Sequence, residues 1–292
     1  MKIAVLGASG FVGRALTAAL TQRGDEVRSV SLRDPARAAE GVAGSDVVVN
    51  LAGAPVIGRW TAERKRVIAR SRIDLPRAFL SALERVDERP NAYVSASAIG
   101  YYGMSRTATF TETSPPGDDF LARVCVGWEE EAARARTLGM RVAVVRTGLV
   151  LGRGGGALTP LLPLFRAGLG GPVASGEQWT SWVHLEDHVG IFLLAIDGYA
   201  GALNSTAPNP VRNRDFTRAL AAAVHRPAVL PAPEFGIKLL FGEGASVVTE
   251  GQRVLPEAAL AAGYRFRHPE ITEACASLIP RQARDDSQPR SQ

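Results

Sequence analysis

The stretch Gly7-Ala8-Ser9-Gly10-Phe11-Val12-Gly13 constrains this chain more than any other. It directly follows a short apolar run, Lys2–Leu6. It also opens a segment of helical spacing, Phe11–Gln22, with Val12, Leu16, Ala19 and Leu20 on one side. Three spaced glycines are weak evidence alone. Between a strand and a helix they become the phosphate-binding turn of a βαβ unit. Gly7 allows a tight turn, Gly10 lets backbone N–H groups approach a pyrophosphate, and Gly13 lets the helix pack close to the strand. The helix N-terminus then offers free donors and a positive dipole end, with Ser9, Phe11 and Val12 around it.

The rest of the first half keeps the alternation. Val27–Leu32, Asp46–Leu51, Ala92–Ser97 and Arg141–Thr147 read as strands. The third is nearly all apolar, as a strand buried on both faces should be. Helical patterns run from Thr61 to about Arg85 and from Phe120 to Leu138. Parallel strands need such crossovers, so the expectation is an α/β, doubly wound parallel sheet of the Rossmann, NAD(P)-binding type. After Gly148 the texture changes. Gly152–Gly156 reads as a flexible loop, Ala157–Ala167 as a Pro-interrupted helix, and Ser181–Leu185 as a strand leading into the helix Glu186–Ile196. We expect a domain over 1–230 with substrate-loop insertions near 152–182. A small, mostly helical C-terminal lobe over 231–280 and a disordered tail over 281–292 would follow.

Composition narrows the function classes. Only Lys2, Lys65 and Lys238 are lysines among the 34 basic residues, and none follows a glycine, which excludes a Walker A loop. The net charge is +5, but acids interleave with the basic residues. The densest run, Arg64–Arg72, reads as a solvated helix face, so no nucleic-acid partner is expected. Cys125 and Cys275 are too few for a disulfide framework. With no apolar run near the ~18 residues of a membrane span and no signal peptide, the chain reads as cytoplasmic, a monomer or homodimer.

Cofactor preference is read at the end of the second strand. An acidic residue about 20 positions past the glycines usually holds the NAD ribose. Arg33 stands there, preceded by Ser31, and an arginine suits a 2′-phosphate through a charge-assisted fork. NADP(H) is favoured, and NAD(H) stays possible through Asp34. Leu51, Ala52 and Gly53 end the third strand where small residues let the chain pass close to the adenine ribose.

These residues resemble the short-chain dehydrogenase/reductase superfamily, in its extended, epimerase-like branch. GASGFVG and NLAG match its cofactor half. Ser95–Gly103 resembles the strand-four motif ending in Tyr-Gly, and Trp182–Asp187 its aromatic-x-His segment. SAIGYYG, RTGLVLGRGGGAL, GEQWTSWVH and Pro231–Leu278 together resemble an atypical subfamily labelled nucleoside-diphosphate-sugar epimerase-like, with a characteristic small C-terminal domain. The resemblance implies an NADP(H)-dependent oxidoreductase acting on an unidentified small molecule. A nucleotide-sugar epimerase and a catalytically inactive NADP(H) sensor or scaffold are the alternatives.

The chain also departs from that pattern. The superfamily's Tyr-x-x-x-Lys dyad occurs nowhere, because Thr61 and Glu234 stand four residues before Lys65 and Lys238, and Lys2 has no such position. The helix expected to carry the dyad reads Phe120-Leu121-Ala122-Arg123-Val124-Cys125. No arginine precedes the aromatic-x-His segment, which weakens a sugar-nucleotide diphosphate as ligand; Arg59, Arg72 or Arg153 would have to reach the site instead. Tyr101 and Tyr102 are the candidate proton donors, and Ser97 corresponds to the substrate-binding hydroxyl. Their structural alternatives are packing under the nicotinamide, a turn position and a strand-end hydroxyl. His184, Asp187 and His188 make an incomplete metal shell, so no metal is expected and Asp187 reads as a cap on backbone.

Overall fold

The computed structural model describes residues 1–279. The expected tail therefore lies outside the described residues. Six parallel strands form the main sheet: β1 (Lys2–Leu6), β2 (Glu26–Val30), β3 (Val47–Asn50), β4 (Ala92–Ala98), β5 (Arg141–Thr147) and β6 (Gly201–Ser205). Their spatial order is 2-1-3-4-5-6. The chain builds outward from β1 in one direction and then reverses. The crevice at the carboxyl ends of β1 and β3 is therefore the switch point where α/β sheets place ligands.

Both faces are covered, as the apolar strands require. Ile3 and Val5 face α1 (Phe11–Gln22) and α7 (Leu185–Ile196), against Leu16, Leu20, Ile191 and Phe192. Ala4 and Leu6 face the other way, toward α2 (Pro35–Gly41), α4 (Asp74–Leu83) and the end of α5 (Phe120–Ala133). The alternation along β1 is the pleat at work. β6 and α8 (Asn213–Val224) come from a stretch the sequence reading left without elements. α2 is also new, although its Asp-Pro start is an N-cap followed by proline at the first helical position.

The helix expected over Thr61–Arg85 is two helices, α3 (Ala62–Arg72) and α4. Pro76 is the reason. In a continuous helix its nitrogen would have to donate to the Arg72 carbonyl, and its ring would strike that carbonyl. The break sets Ile73 onto α5, where a Cβ on Gly127 would lie 2.8 Å from the Ile73 side chain.

A second core joins α6 (Leu158–Arg166) and α8 to α12 (Ile271–Leu278), with Trp182 fully buried beside them. Between them the chain forms the short helices α9 (Glu234–Phe241), α10 (Ser246–Thr249) and α11 (Glu257–Ala261). Among the described residues no helix is long and apolar enough to cross a membrane.

Candidate functional site

The glycine-rich turn has three different constraints. Gly7 has φ +87°, and a Cβ there would lie 3.0 Å from the Ala52 nitrogen, so β1 and the chain after β3 nearly touch. A Cβ on Gly13 would lie 2.3 Å from the Gly7 carbonyl oxygen, a full overlap. Gly10 is looser, at 3.3 Å, and caps α1 without a side-chain bond. The N–H groups of Phe11, Val12 and Gly13 have no partner among the described residues, and the first turn of α1 holds no acidic residue. A negative ligand thus meets free donors and the helix dipole. Ser9 is exposed, and its carbonyl accepts from Arg14, at 2.7 Å, which the sequence reading did not single out.

The Phe11 ring changes the reading of Gly152–Gly156. Cβ atoms on Gly152, Gly155 and Gly156 would lie 2.7, 2.1 and 2.7 Å from it. These glycines are there because an aromatic ring from the nucleotide turn occupies their side-chain space. The segment expected to be a flexible loop is therefore packed. Arg153 ties it to the end of α12 by donating to the Leu278 carbonyl, at 3.0 Å, and to that of Ser277.

At the end of β2, Ser31 and Arg33 are exposed. With Asp34 and Arg37 they line a hollow of about 580 Å³. The Asp34 carboxylate accepts from the Arg37 backbone N–H at 3.2 Å and caps α2. Arg33 and Arg37 have no carboxylate within 4.0 Å among the described residues, whose ion pairs all lie elsewhere. At the end of β3, Asn50 is fully buried. It donates to the Tyr93 hydroxyl at 2.9 Å and accepts from the Ala52 N–H at 3.1 Å, which fixes the Leu51-Ala52-Gly53 turn against Gly7.

Beyond β4 the arrangement closes. Arg146 on β5 is 4% exposed and grips Glu129 of α5 through Nε and Nη2, both at 2.8 Å. Its Nη1 donates to the Tyr102 hydroxyl at 2.9 Å and to the Glu112 carbonyl at 3.2 Å. Tyr102 in turn donates to Asn204 at 2.7 Å. Burial pushes its phenol up to about 12, against the partial relief of Arg146. The Tyr102 hydroxyl therefore both donates, to Asn204, and accepts, from Arg146, within the fold. Ser97 is also buried and donates to Glu129 at 2.8 Å. Tyr101 differs. Its ring lies 3.5 Å under the Arg146 guanidinium, and its hydroxyl has no protein partner among the described residues. The sequence carried a signal for this network: an arginine in an apolar strand, with Glu129-Glu130-Glu131 in the preceding helix, demands a carboxylate.

On α5, Leu121 and Cys125 face the turn after β4. A Cβ on Gly100 would lie 3.3 Å from the Leu121 Cβ and 3.8 Å from the Cys125 sulfur. These two, rather than Phe120 and Val124, occupy the places facing strand four. Burial lifts the Cys125 thiol to about 12, which leaves it inert.

His184, Glu186 and His268 lie within 4.8 Å of one another. They do not fit a metal. His184 Nδ1 accepts from the Glu186 N–H at 3.1 Å and so carries no proton, which places the proton on Nε2 and removes both lone pairs from use. Asp187 is fully buried and accepts from the backbone of Arg267 and His268 and from Tyr264. It caps backbone, as expected, though of the C-terminal segment. Trp182 is core. Trp179 stacks on Arg212 at 3.8 Å.

Comparison with known proteins agrees with this layout. The NAD dependent epimerase/dehydratase family matches residues 3–207, and a C-terminal domain described as DUF1731, domain of unknown function, matches residues 232–278. The Arabidopsis thaliana protein named epimerase family protein SDR39U1 homolog, chloroplastic, is 39% identical, over 96% of this chain and 87% of its own. Bacillus subtilis epimerase family protein YfhF is 36% identical, over 96% and 98%. The crystal structure of human epimerase family protein SDR39U1 with NADPH superposes with a TM-score of 0.90 at 36% identity, covering 96% of this chain and 99% of that one. With its switch-point turn, its packed Phe11 and its C-terminal helices, the chain belongs to the NAD-dependent epimerase/dehydratase family, on the atypical extended short-chain dehydrogenase/reductase branch.

Proposed function

We propose that the protein is an NADP(H)-dependent oxidoreductase acting on an unidentified small molecule. The observation that carries the reading is the end of β2. Two arginines there, Arg33 and Arg37, lack carboxylate partners among the described residues, while Asp34, the acid that directly follows Arg33, caps its helix. A 2′-phosphate suits that arrangement better than a bare hydroxyl. The human relative solved with NADPH supports the same choice.

The residues fit the dinucleotide. Gly7, Ser9, Gly10, Phe11, Val12 and Gly13 would hold the pyrophosphate through unpartnered N–H groups. Leu51, Ala52 and Gly53 would lie along the cofactor, and Ser31 with Arg33 would take the 2′-phosphate. When bound, the cofactor would supply or accept hydride. Tyr101 is the group we assign to proton transfer, because its hydroxyl is free where those of Tyr102 and Ser97 are bonded. A monomer or homodimer working in the cytoplasm, without nucleic acid, completes the reading, and two buried free thiols support a reducing compartment.

Titrating NADPH and NADH against wild type and Arg33→Ala tests the assignment. We expect NADPH to bind more tightly and the substitution to remove most of that preference. Equal affinities would return the site to NAD. Screening carbonyl compounds with bound NADPH then separates an enzyme from a sensor, because a sensor would turn over none of them.

A further inference from the structure

A second arginine near this crevice is partly buried, and it is treated quite differently from Arg146. Arg72 ends α3, and burial holds its guanidinium below the ordinary arginine pKa. Among the described residues no carboxylate lies within 4.0 Å of it. Nη1 does all its local bonding, to the carbonyls of Ala54 at 3.0 Å and Ile68 at 3.4 Å and to the Ser71 hydroxyl at 3.2 Å. Nε and Nη2 have no protein partner among the described residues. The plane lies over the Trp128 ring at 5.0 Å, and the buried Trp128 indole N–H is itself unpartnered. Taking a cation from water without a counter-charge is costly, so a site that keeps one there is set for an anion or for several hydroxyl oxygens.

Its position says which. A Cβ on Gly53 would lie 3.1 Å from Nη2 and 3.2 Å from Cζ. Gly53 directly follows Ala52, which touches Gly7 of the phosphate turn. Arg33 stands beyond β2 on one side of that turn. Arg72 stands on the other, between the end of β3 and α5. Of the three arginines that could reach the site from elsewhere, Arg153 is spent on the end of α12, and Arg59 points toward α9, with the Leu239 carbonyl as its acceptor at 3.4 Å. The family's lysine is missing from α5, whose Leu121 and Cys125 side chains face the turn after β4 instead.

We propose that Arg72 binds the nicotinamide half of the cofactor, its two unpartnered nitrogens taking the ribose hydroxyls and phosphate oxygens of that half. α3 thereby provides the cation that α5 lacks. This rests on the NADP(H) reading above. The test compares NADPH with 2′,5′-ADP, which carries the 2′-phosphate but no nicotinamide ribose. Dissociation constants would be measured by calorimetry for wild type, Arg72→Ala, Arg72→Lys and Arg33→Ala, with melting curves alongside.

Arg72→Ala should weaken NADPH by about tenfold to a hundredfold and leave 2′,5′-ADP within about twofold. Arg72→Lys should fall between, and Arg33→Ala should weaken both ligands. Unchanged NADPH affinity in Arg72→Ala overturns the proposal. So does an equal loss of both ligands, which would make Arg72 a purely structural support for the Ala54 turn. Wild type binding neither ligand would overturn this proposal together with the cofactor reading, whereas wild type binding both ligands, with NADPH affinity unchanged in Arg72→Ala, sinks this proposal alone.

Discussion

Arg146, within β5, and Arg72, at the end of α3 beside the chain that follows β3, have opposite surroundings. Arg146 has every nitrogen matched: a bidentate carboxylate, a phenol, a carbonyl and an aromatic face. Arg72 has one nitrogen matched and two spare, with no counter-charge among the described residues. A buried cation neutralised by its own chain is architecture. One left half-bonded beside an open turn is a place for a ligand.

The largest break in that comparison comes from Arg146→Ala. It strands Glu129 in a buried position, and we expect a loss of about 3–5 kcal/mol by urea unfolding. The double change Arg146→Met, Glu129→Gln should recover much of it. Arg72→Ala, by contrast, should move the unfolding midpoint little. Similar losses for the two single variants would mean that they are alike after all.

The same rule extends to buried imidazoles. His188 is 1% exposed, bonds Ser205 at 2.6 Å, and is pushed down to about 3 by burial; His184 is pushed down to about 4 by burial and by His268. Both folded values lie below the unfolded one, near 6.5. Their contribution is therefore complete above pH 6.5 and is lost as acid protonates the unfolded chain. Each should remove on the order of 2 kcal/mol between pH 6.5 and 5. Melting curves of wild type and His188→Leu over that range check this; equal slopes would refute it.

Smaller effects sharpen the contrast between the closed network and the open crevice. Gly13→Ala should cost about 1–3 kcal/mol, since backbone must move, while Gly10→Ala should cost less than about 1. Thermal melts of the two variants would show the difference. Tyr102→Phe should cost about 1–3 kcal/mol by leaving Arg146 and Asn204 each a bond short. Tyr101→Phe should stay within about 0.5 kcal/mol of wild type in stability and slow turnover instead. A stability loss at Tyr101 matching that at Tyr102 would put both in the architecture.

Much of the first half was legible because its constraints are local. β1, α1 and β5 fall at the expected residues, and the glycine turn sits where the strand and helix patterns meet. The helix over Thr61–Arg85 failed on Pro76, a signal present and unweighed. The loop at Gly152–Gly156 failed for another reason: glycine is equally what a flexible linker uses and what a neighbouring ring demands, and only Phe11 decides between them. β6 was missed because GALNS carries little strand character on its own, and its place in the sheet is fixed by pairing with β5, more than fifty residues earlier.

By itself the sequence determined that a glycine-rich turn follows the first strand, that Arg33 stands twenty residues past it, and that no Tyr-x-x-x-Lys dyad exists. Each is a matter of residue identity within a few positions of backbone, or of a simple count. Which tyrosine is free, which arginine is paired and which is not, and that a ring fills the glycine loop were decided only by the tertiary structure. Those outcomes turn on partners 17 to 144 residues apart: Glu129 with Arg146, Tyr102 with Asn204, Phe11 with Gly155. A buried polar group takes whatever distant segment packing brings to it, and the order of residues along the chain does not record that choice.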